Sequence, residues 1–248
     1  MIFAVCGKGG VGKTTFTAVA ARELRGRREV KALVVDADPA AGLSLALGLE
    51  PRKTLNDVRK ELIEEVRAGR RDQRDLAVSI DYLLAGALVE VDNLAFLSIG
   101  RPEDEGCYCR VNVILKDAIE SLSSLFDVTV IDAEAGIEQV NRKVMGSVDR
   151  VMLVSDTGAK GIRVAETIGS VAEKMVAGEV AGLVINRVPQ GVSGSRAYPA
   201  SRLKVIGEVP EDSTVRWYDE KGASFFQLPD CPASRAIAES LKASGFPL

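Results

Sequence analysis

The sequence contains no histidine among its 248 residues. This absence excludes Ser-His-Asp and Cys-His nucleophile systems, histidine-based metalloproteases and every Cys/His zinc finger, because each of them needs an imidazole. A transition-metal site in this chain must therefore use thiolates, carboxylates, backbone groups or water.

Cysteine is scarce, and long apolar runs and an excess of positive charge are missing. Four cysteines are too few for a disulfide-bonded secreted scaffold, and no apolar run reaches the ~18 residues of a membrane span. The chain opens directly on an apolar strand, without the basic segment of a signal peptide. A formal net charge of −3 argues against a general nucleic-acid or membrane binder. We therefore expect a cytoplasmic protein that binds neither nucleic acid nor membranes.

Short apolar runs alternate along the chain with longer helical patterns. Seven runs rich in Val, Ile and Leu are predicted strands: 2–6, 32–35, 94–99, 128–131, 150–154, 181–185 and 204–207. The predicted helices are 13–25, 55–68, 112–125, 138–146, 161–177, 215–220 and 233–243. Strands without polar alternation are typical of a parallel sheet covered on both faces. We therefore predict one α/β domain over residues 1–248, a doubly wound, mostly parallel sheet between helices.

Residues 7–14, GKGGVGKT, match the phosphate-loop pattern G-x-x-x-x-G-K-[ST] between a predicted strand and a predicted helix. Glycines let backbone N–H groups point inward around a polyphosphate, and the positive end of the following helix favours the anion. We expect Lys13 to reach the β- and γ-phosphates and the Thr14 hydroxyl to ligate Mg²⁺. The predicted nucleotide-binding residues of the loop are Gly7, Lys8, Gly9, Gly10, Val11, Gly12, Lys13, Thr14 and Thr15.

Aspartates follow two of the predicted strands. Asp36 and Asp38 project to the same side of an extended chain at the carboxyl end of a strand. Asp132 follows the apolar run 128–131, which is typical of the aspartate that holds Mg²⁺ in phosphate-loop proteins. Asp-x-Asp-Pro is also a good turn starter, but its position behind a buried strand favours a functional role.

Cys107 and Cys109 lie in GCYC, just ahead of a predicted helix. A helix N-terminus favours the thiolate form, and Zn²⁺ or Ni²⁺ takes four ligands of this soft type. One chain has too few such ligands, but two copies related by a twofold axis supply four thiolates. The sequence thus indicates Ni²⁺ or Zn²⁺ at a dimer interface. A redox disulfide and a pair of idle surface thiols are the alternatives.

Lys8, the second residue of the loop, makes KGGVGKTT resemble the deviant Walker A motif of MinD, ParA and the nitrogenase iron protein. The resemblance implies an ATP-sandwiched homodimer in which Lys8 reaches the nucleotide held by the other subunit. It also implies that Asp38 positions or activates the attacking water and that Asp36 supports Mg²⁺ or its waters.

Two further positions follow from the same resemblance. Residues 132–136 have the D-x-x-x-G form of a switch II segment, with Glu134 inside it and the Gly136 amide able to reach the γ-phosphate. Asn186 resembles the amide that reads adenine in this class, and its donors and acceptor suit a base edge. An ordinary turn asparagine is an equally valid interpretation of Asn186.

Three stretches narrow the resemblance: GCYC, IDAEAGIE at 131–138 and VSDTGAKGI at 154–162. They are similar to the CooC-type ATPases, accessory proteins for nickel insertion into carbon monoxide dehydrogenase, with a relative that serves acetyl-CoA synthase. That family usually has Met in place of Ala133. The resemblance implies a dimeric, ATP-hydrolysing metallochaperone that uses ATP/ADP and Mg²⁺ and serves one of these two client enzymes. The alternatives are a MinD/ParA-type positioning or partition ATPase and an iron–sulfur ATPase like the nitrogenase iron protein.

Overall fold

The computed structural model describes residues 1–38, 40–68, 80, 82–100, 120–133, 148–175, 178–192 and 198–248. The strands in these ranges are β1 Ile2–Gly7, β2 Ala32–Asp36, β3 Val89–Val91, β4 Leu94–Ser98, β5 Val128–Asp132, β6 Arg150–Ser155, β7 Glu179–Val188 and β8 Val205–Pro210. The helices are α1 Lys13–Arg25, α2 Gly42–Leu47, α3 Leu55–Arg67, α4 Ala159–Met175, α5 Ser213–Lys221 and α6 Pro232–Ala243. Phe225–Gln227 form a 3₁₀ turn, and residues 82–87 and 120–124 are also helical.

The strands form one sheet in the order β3-β4-β2-β5-β1-β6-β7-β8. Every neighbouring pair is parallel except β3 with β4, which is an antiparallel pair at the sheet edge. β1 lies between β5 and β6, so the chain winds away from β1 in both directions. In such sheets ligands bind outside the carboxyl ends of the strands, where the winding reverses. This topology confirms the predicted doubly wound α/β fold.

Both faces of the sheet are covered, which is why its strands lack polar alternation. On one face Leu33 and Val35 pack in a buried cluster with Leu62 of α3. On the other face Val34 packs in a second cluster with Phe16 of α1. Fully burying an aliphatic or aromatic side chain of this size contributes about 1.5–3 kcal/mol, so the two layers hold the strand ends in place beneath the loops.

All seven predicted strands are present, β7 and β8 extend beyond the predicted 181–185 and 204–207, and the strand and the helix described next are short elements that were not predicted. β3 has only three residues, the sequence VEV, and pairs with β4 across a turn in which Asp92 has φ of 54°. α2 has six residues and follows Ala41, also at φ of 54°. Neither is long enough for a periodic pattern to develop. The predicted helix 138–146 and most of 112–125 lie outside the described residues. In the described part of the chain, no helix has the length and apolarity to cross a bilayer.

Candidate functional site

The loop between β1 and α1 is shaped by close contacts at its two ends. A Cβ on Gly7 would collide with the backbone carbonyl of Val154 in β6, and one on Gly12, which has φ of 93°, would collide with the side chain of Asn186. No atom lies within 4 Å of the Cβ position at Gly9 or Gly10, so the middle of the loop is open. The loop is therefore anchored at its ends and free in its centre, as a phosphate cradle must be.

Lys13 is the first residue of α1 and is only 8% exposed. Its Nζ donates a hydrogen bond to the Lys8 carbonyl at 3.2 Å, so the side chain turns back toward the start of the loop. Lys8 itself is half-buried. The predicted phosphate-binding cation thus lies against the loop that would hold the phosphates.

Asp36 and Asp132 end neighbouring strands and are paired in register. Both are buried, at 0% and 1% exposure. The Oδ2 atom of Asp36 accepts hydrogen bonds from the amides of Leu43 at 3.1 Å and Ser44 at 3.2 Å, at the start of α2. Asp132 differs, because its Oδ2 is buried without any hydrogen-bond partner.

The pKa values of the two carboxyls reflect this burial. Burial raises the pKa of Asp132 to about 7, and the charge of Asp36 adds to that rise against the opposing effects of the Thr14 hydroxyl and Lys13. Burial also raises the pKa of Asp36 to about 6. Two adjacent buried carboxylates beside a threonine hydroxyl are a hard oxygen donor set, and the unpartnered Asp132 oxygen fits a divalent cation such as Mg²⁺.

The segment after β2 turns sharply and runs beside the phosphate loop. Asp38, which is half-buried, accepts a hydrogen bond from the Ala40 amide at 2.8 Å. A Cβ on Gly42, the first residue of α2, would lie 3.7 Å from the side chain of Thr14. The structure therefore brings the segment that carries Asp38 next to the predicted Mg²⁺ ligand Thr14.

A cavity of about 300 Å³ lies beside Thr15, at the ends of β7 and β8. Asn186 forms part of its wall, with Nδ2 donating to the Val11 carbonyl at 2.8 Å and Oδ1 accepting from the Arg187 amide at 2.9 Å. Arg187 adopts φ of 55°, an uncommon conformation for a non-glycine residue. One N–H and one lone pair of the Asn186 amide stay available to a ligand.

The opposite wall of this cavity was missed at the level of sequence. It consists of the end of β8, the turn that follows and residues of α5 and α6, including Pro210, Asp212 and Ile237. The available signal was the run Asp212-Ser213-Thr214 directly after a strand, which is a helix N-cap signature.

Four predicted site residues, Cys107, Cys109, Glu134 and Gly136, lie outside the described residues. Two other cysteines, Cys6 and Cys231, are buried and free, and burial raises the pKa of the Cys6 thiol to about 12. Across the described ranges no group of three or more His, Cys, Asp or Glu side chains is arranged to hold a metal ion.

The parallel sheet, the anchored loop and the adjacent aspartates define a P-loop nucleotide-binding protein. Residues 2–225 match the CobQ/CobB/MinD/ParA nucleotide binding domain family. The chain belongs to this family, and the predicted P-loop ATPase is confirmed at that level.

Similar proteins cover nearly the whole chain. An uncharacterized ATP-binding protein of Methanocaldococcus jannaschii is 36% identical over 93% of this chain and 92% of its own length. The carbon monoxide dehydrogenase accessory protein CooC of Rhodospirillum rubrum is 26% identical over 98% of this chain and 95% of its own length. The crystal structure of the Pyrococcus furiosus cell division ATPase MinD has a TM-score of 0.69 and 26% identity, over 98% of this chain and 97% of that one.

Proposed function

We propose that this chain is a Mg²⁺-dependent ATPase that acts as a homodimer and assists nickel insertion into carbon monoxide dehydrogenase or acetyl-CoA synthase. The observation that carries the ATPase part is the pairing of Asp36 with Asp132 beside the phosphate loop, with one buried Asp132 oxygen unpartnered. A buried, unpaired carboxylate oxygen is costly unless a ligand satisfies it.

The residues of the loop and of the neighbouring strand ends have different roles in binding ATP. Backbone amides of residues 7–14 bind the phosphate oxygens, and Lys13 exchanges its bond to the Lys8 carbonyl for the β- and γ-phosphates. Thr14, Asp132 and Asp36 would hold Mg²⁺, which would neutralise charge on the phosphates and so favour transfer of the γ-phosphoryl group. Asp38 orients the attacking water through its carboxylate. The nucleoside occupies the cavity beside Thr15, with Asn186 at the base edge.

Phosphate release with Mg²⁺ and ATP tests this assignment. Asp38→Ala should reduce turnover at least about 100-fold while ATP binding changes little, because an orienting group acts in the transition state. Asp230→Ala is the matched control, since Asp230 is an exposed carboxylate paired with Arg235. Wild-type turnover in the Asp38 variant would remove Asp38 from the mechanism.

Lys8 is the residue on which the proposed homodimer rests. It is half-buried on the phosphate loop, and it occupies the position of the lysine that, in proteins with the deviant Walker A motif, reaches the nucleotide of a second subunit. Size exclusion with light scattering should give a larger species with ATP than with ADP, and Lys8→Ala should abolish that difference. A wild-type chain that stays monomeric with ATP while turning it over would contradict the dimer.

The nickel-enzyme role is supported by the similarity to the Rhodospirillum rubrum CooC protein along almost the entire chain. Cys107 and Cys109 are the proposed metal ligands, two from each subunit. The variant Cys107→Ser with Cys109→Ser should lose Ni²⁺ or Zn²⁺ in metal analysis and keep ATP affinity within about twofold, since thiolates are the soft ligands that these ions need. Cys6→Ala is the control, because its thiol is buried in the sheet. Full metal stoichiometry in the double variant would refute this role.

A positioning or partition ATPase is the second candidate, and the similarity to the Pyrococcus furiosus cell division ATPase MinD favours it. Co-sedimentation with anionic vesicles or with duplex DNA, with and without ATP, separates the two candidates. ATP-dependent co-sedimentation by a metal-free protein would favour this second function. A brown protein with visible charge-transfer absorption would instead indicate an iron–sulfur cluster.

A further inference from the structure

The cavity beside Thr15 is built from two walls that come from distant parts of the chain. One wall is the end of β7 with Asn186, which is hydrogen-bonded to the phosphate loop through the Val11 carbonyl. The other wall is carried by α5 and α6, which contribute Val215 and Ile237 among others. The width of the cavity therefore depends on what holds these two helices relative to β7.

Asp212 lies where the second wall is joined. Its Oδ1 accepts hydrogen bonds from the amides of Thr214 at 2.8 Å and Val215 at 3.4 Å, in the first turn of α5. Its Oδ2 accepts a hydrogen bond from the Ala233 amide at 3.1 Å, in the first turn of α6. One carboxylate thus caps the N-terminus of α5 and adds a hydrogen bond to the N-terminus of α6, which also has a capping box between Cys231 and Ser234.

The carboxylate of Asp212 links the first turns of these two helices to each other. α6 begins with Pro232, which has no N–H, so Ala233 supplies the first amide of that helix. The Glu211 amide donates to the Val188 carbonyl at 2.9 Å, which ties the turn that carries Asp212 to β7. A chain of hydrogen bonds thus runs from β7 through this turn to both helices.

The charged state of Asp212 suits this role. Burial acts to raise its pKa, but the amides of Ala233, Thr214 and Val215 and the Cys231 thiol outweigh burial, so the pKa of Asp212 lies below its ordinary value. A neutral amide side chain of the same shape has one oxygen and one NH₂ group. It would present a donor to the amides of one of the two helices.

We propose that Asp212 is the positioning residue of the nucleoside cavity, holding α5 and α6 at the spacing that a base and ribose require. The inference rests on the proposed function, because it takes the cavity as the nucleoside site. Asp212 acts through the two helices, so its effect should fall on the nucleoside half of ATP and spare the phosphate half.

Calorimetric titration of the full-length chain with Mg-ADP and with Mg-tripolyphosphate tests this division. Asp212→Asn should weaken ADP binding about tenfold, because helices that have lost their shared carboxylate must be ordered again when the nucleoside binds, and should change tripolyphosphate binding less than about twofold. Asp57→Asn is the matched control. The Asp57 carboxylate caps α3 through the Thr54 amide at 2.8 Å, and its pKa is also lowered, chiefly by the Thr54 hydroxyl. This control should lower the melting temperature comparably and leave both affinities unchanged.

Asp212→Ser is the second variant, for use where the asparagine variant fails to fold. A serine hydroxyl caps α5 well but is too short to bridge to α6, so ADP binding should stay weakened while tripolyphosphate binding is normal. Full recovery of ADP affinity in this variant, or an equal loss of both ligands in Asp212→Asn, would overturn the positioning role. A wild-type chain that binds tripolyphosphate but not ADP would refute the nucleoside site itself, and one that binds neither would refute the proposed ATPase.

Discussion

The proposed phosphate side and the proposed nucleoside side of the site differ in how the hydrogen-bonding capacity of their carboxylates is satisfied. On the phosphate side Asp132 is buried with an unpartnered oxygen, and burial raises its pKa to about 7. On the nucleoside side Asp212 is saturated with hydrogen bonds, and its pKa is lowered. The first carboxylate is left incomplete for a ligand, whereas the second is satisfied within the protein. Between these two carboxylates, the unsatisfied one is suited to hold a ligand and the satisfied one to hold the site in shape.

The largest effect of a substitution is expected on the phosphate side. Lys13→Ala should reduce ATP turnover at least about 100-fold, because it removes the cation proposed to stabilise charge on the transferred phosphoryl group. Phosphate release is the measurement, and Lys242→Ala, an exposed lysine near the end of α6, should keep wild-type turnover. Turnover within a few-fold of wild type in Lys13→Ala would place the chemistry elsewhere.

The second prediction concerns stability against pH without nucleotide or Mg²⁺. The raised pKa values of Asp132 and Asp36 mean that the folded chain binds protons more tightly than the unfolded chain. Their contribution to the unfolding free energy is therefore fully present below about pH 4. It is lost as the pH rises through about 6 to 7, by roughly 2–4 kcal/mol. Urea denaturation at pH 5 and pH 8 measures this loss.

Two variants test this pH dependence, at carboxyl groups whose pKa values are shifted in opposite directions. Asp132→Asn should flatten most of the decline between pH 5 and 8. Asp57, whose pKa is lowered, contributes stability that is present above its ordinary pKa and is lost as the pH falls below it. Asp57→Asn should therefore leave the decline intact. An unchanged decline in Asp132→Asn would mean that another group is responsible.

Glycine substitutions give the third prediction, which separates the anchored ends of the phosphate loop from its open centre. Gly12→Ala should lower the unfolding free energy by about 1–3 kcal/mol, because the new Cβ meets Asn186 at a backbone with φ of 93°. Gly9→Ala meets no atom within 4 Å and should cost less than about 1 kcal/mol. Thermal unfolding of the two variants measures the difference, and equal losses would contradict the anchoring contacts.

The smallest effect is expected where the two sides meet. Asn186→Ala removes the N–H and the lone pair proposed to face the base and should weaken ATP binding about fivefold to tenfold, the usual worth of one buried hydrogen bond. Gln190→Ala, an exposed amide just beyond the end of β7, is the control for calorimetry. An unchanged affinity in Asn186→Ala would leave Asn186 as an ordinary turn residue.

Much of the phosphate side could be predicted from local sequence. The strand ends, the glycine pattern and the position of Asp132 at the end of β5 are properties of short segments. The confirmed fold brings these segments together at the carboxyl ends of neighbouring central strands. The pairing of Asp36 with Asp132 depends on β5 lying between β2 and β1, which no local segment specifies.

The nucleoside side shows why the rest could not be predicted. Asn186, Asp212 and Ala233 come together only because β7 and β8 are adjacent and because α6 packs back onto the sheet. In the sequence Asp212 is an unremarkable helix-capping residue, and its second bond to Ala233 spans 21 positions of the chain.

The amino-acid sequence by itself determined the α/β class, the phosphate loop and the chemical types of the residues around it. These depend on periodicity, glycine content and residue spacing, which act over a few positions of the chain. Only the tertiary structure decided that the carboxylate of Asp132 is left with an unpartnered oxygen and that the carboxylate of Asp212 accepts hydrogen bonds at both oxygens. That distinction arises from burial and from amides contributed by distant segments, because the environment of a charged group, not its identity, sets its free energy.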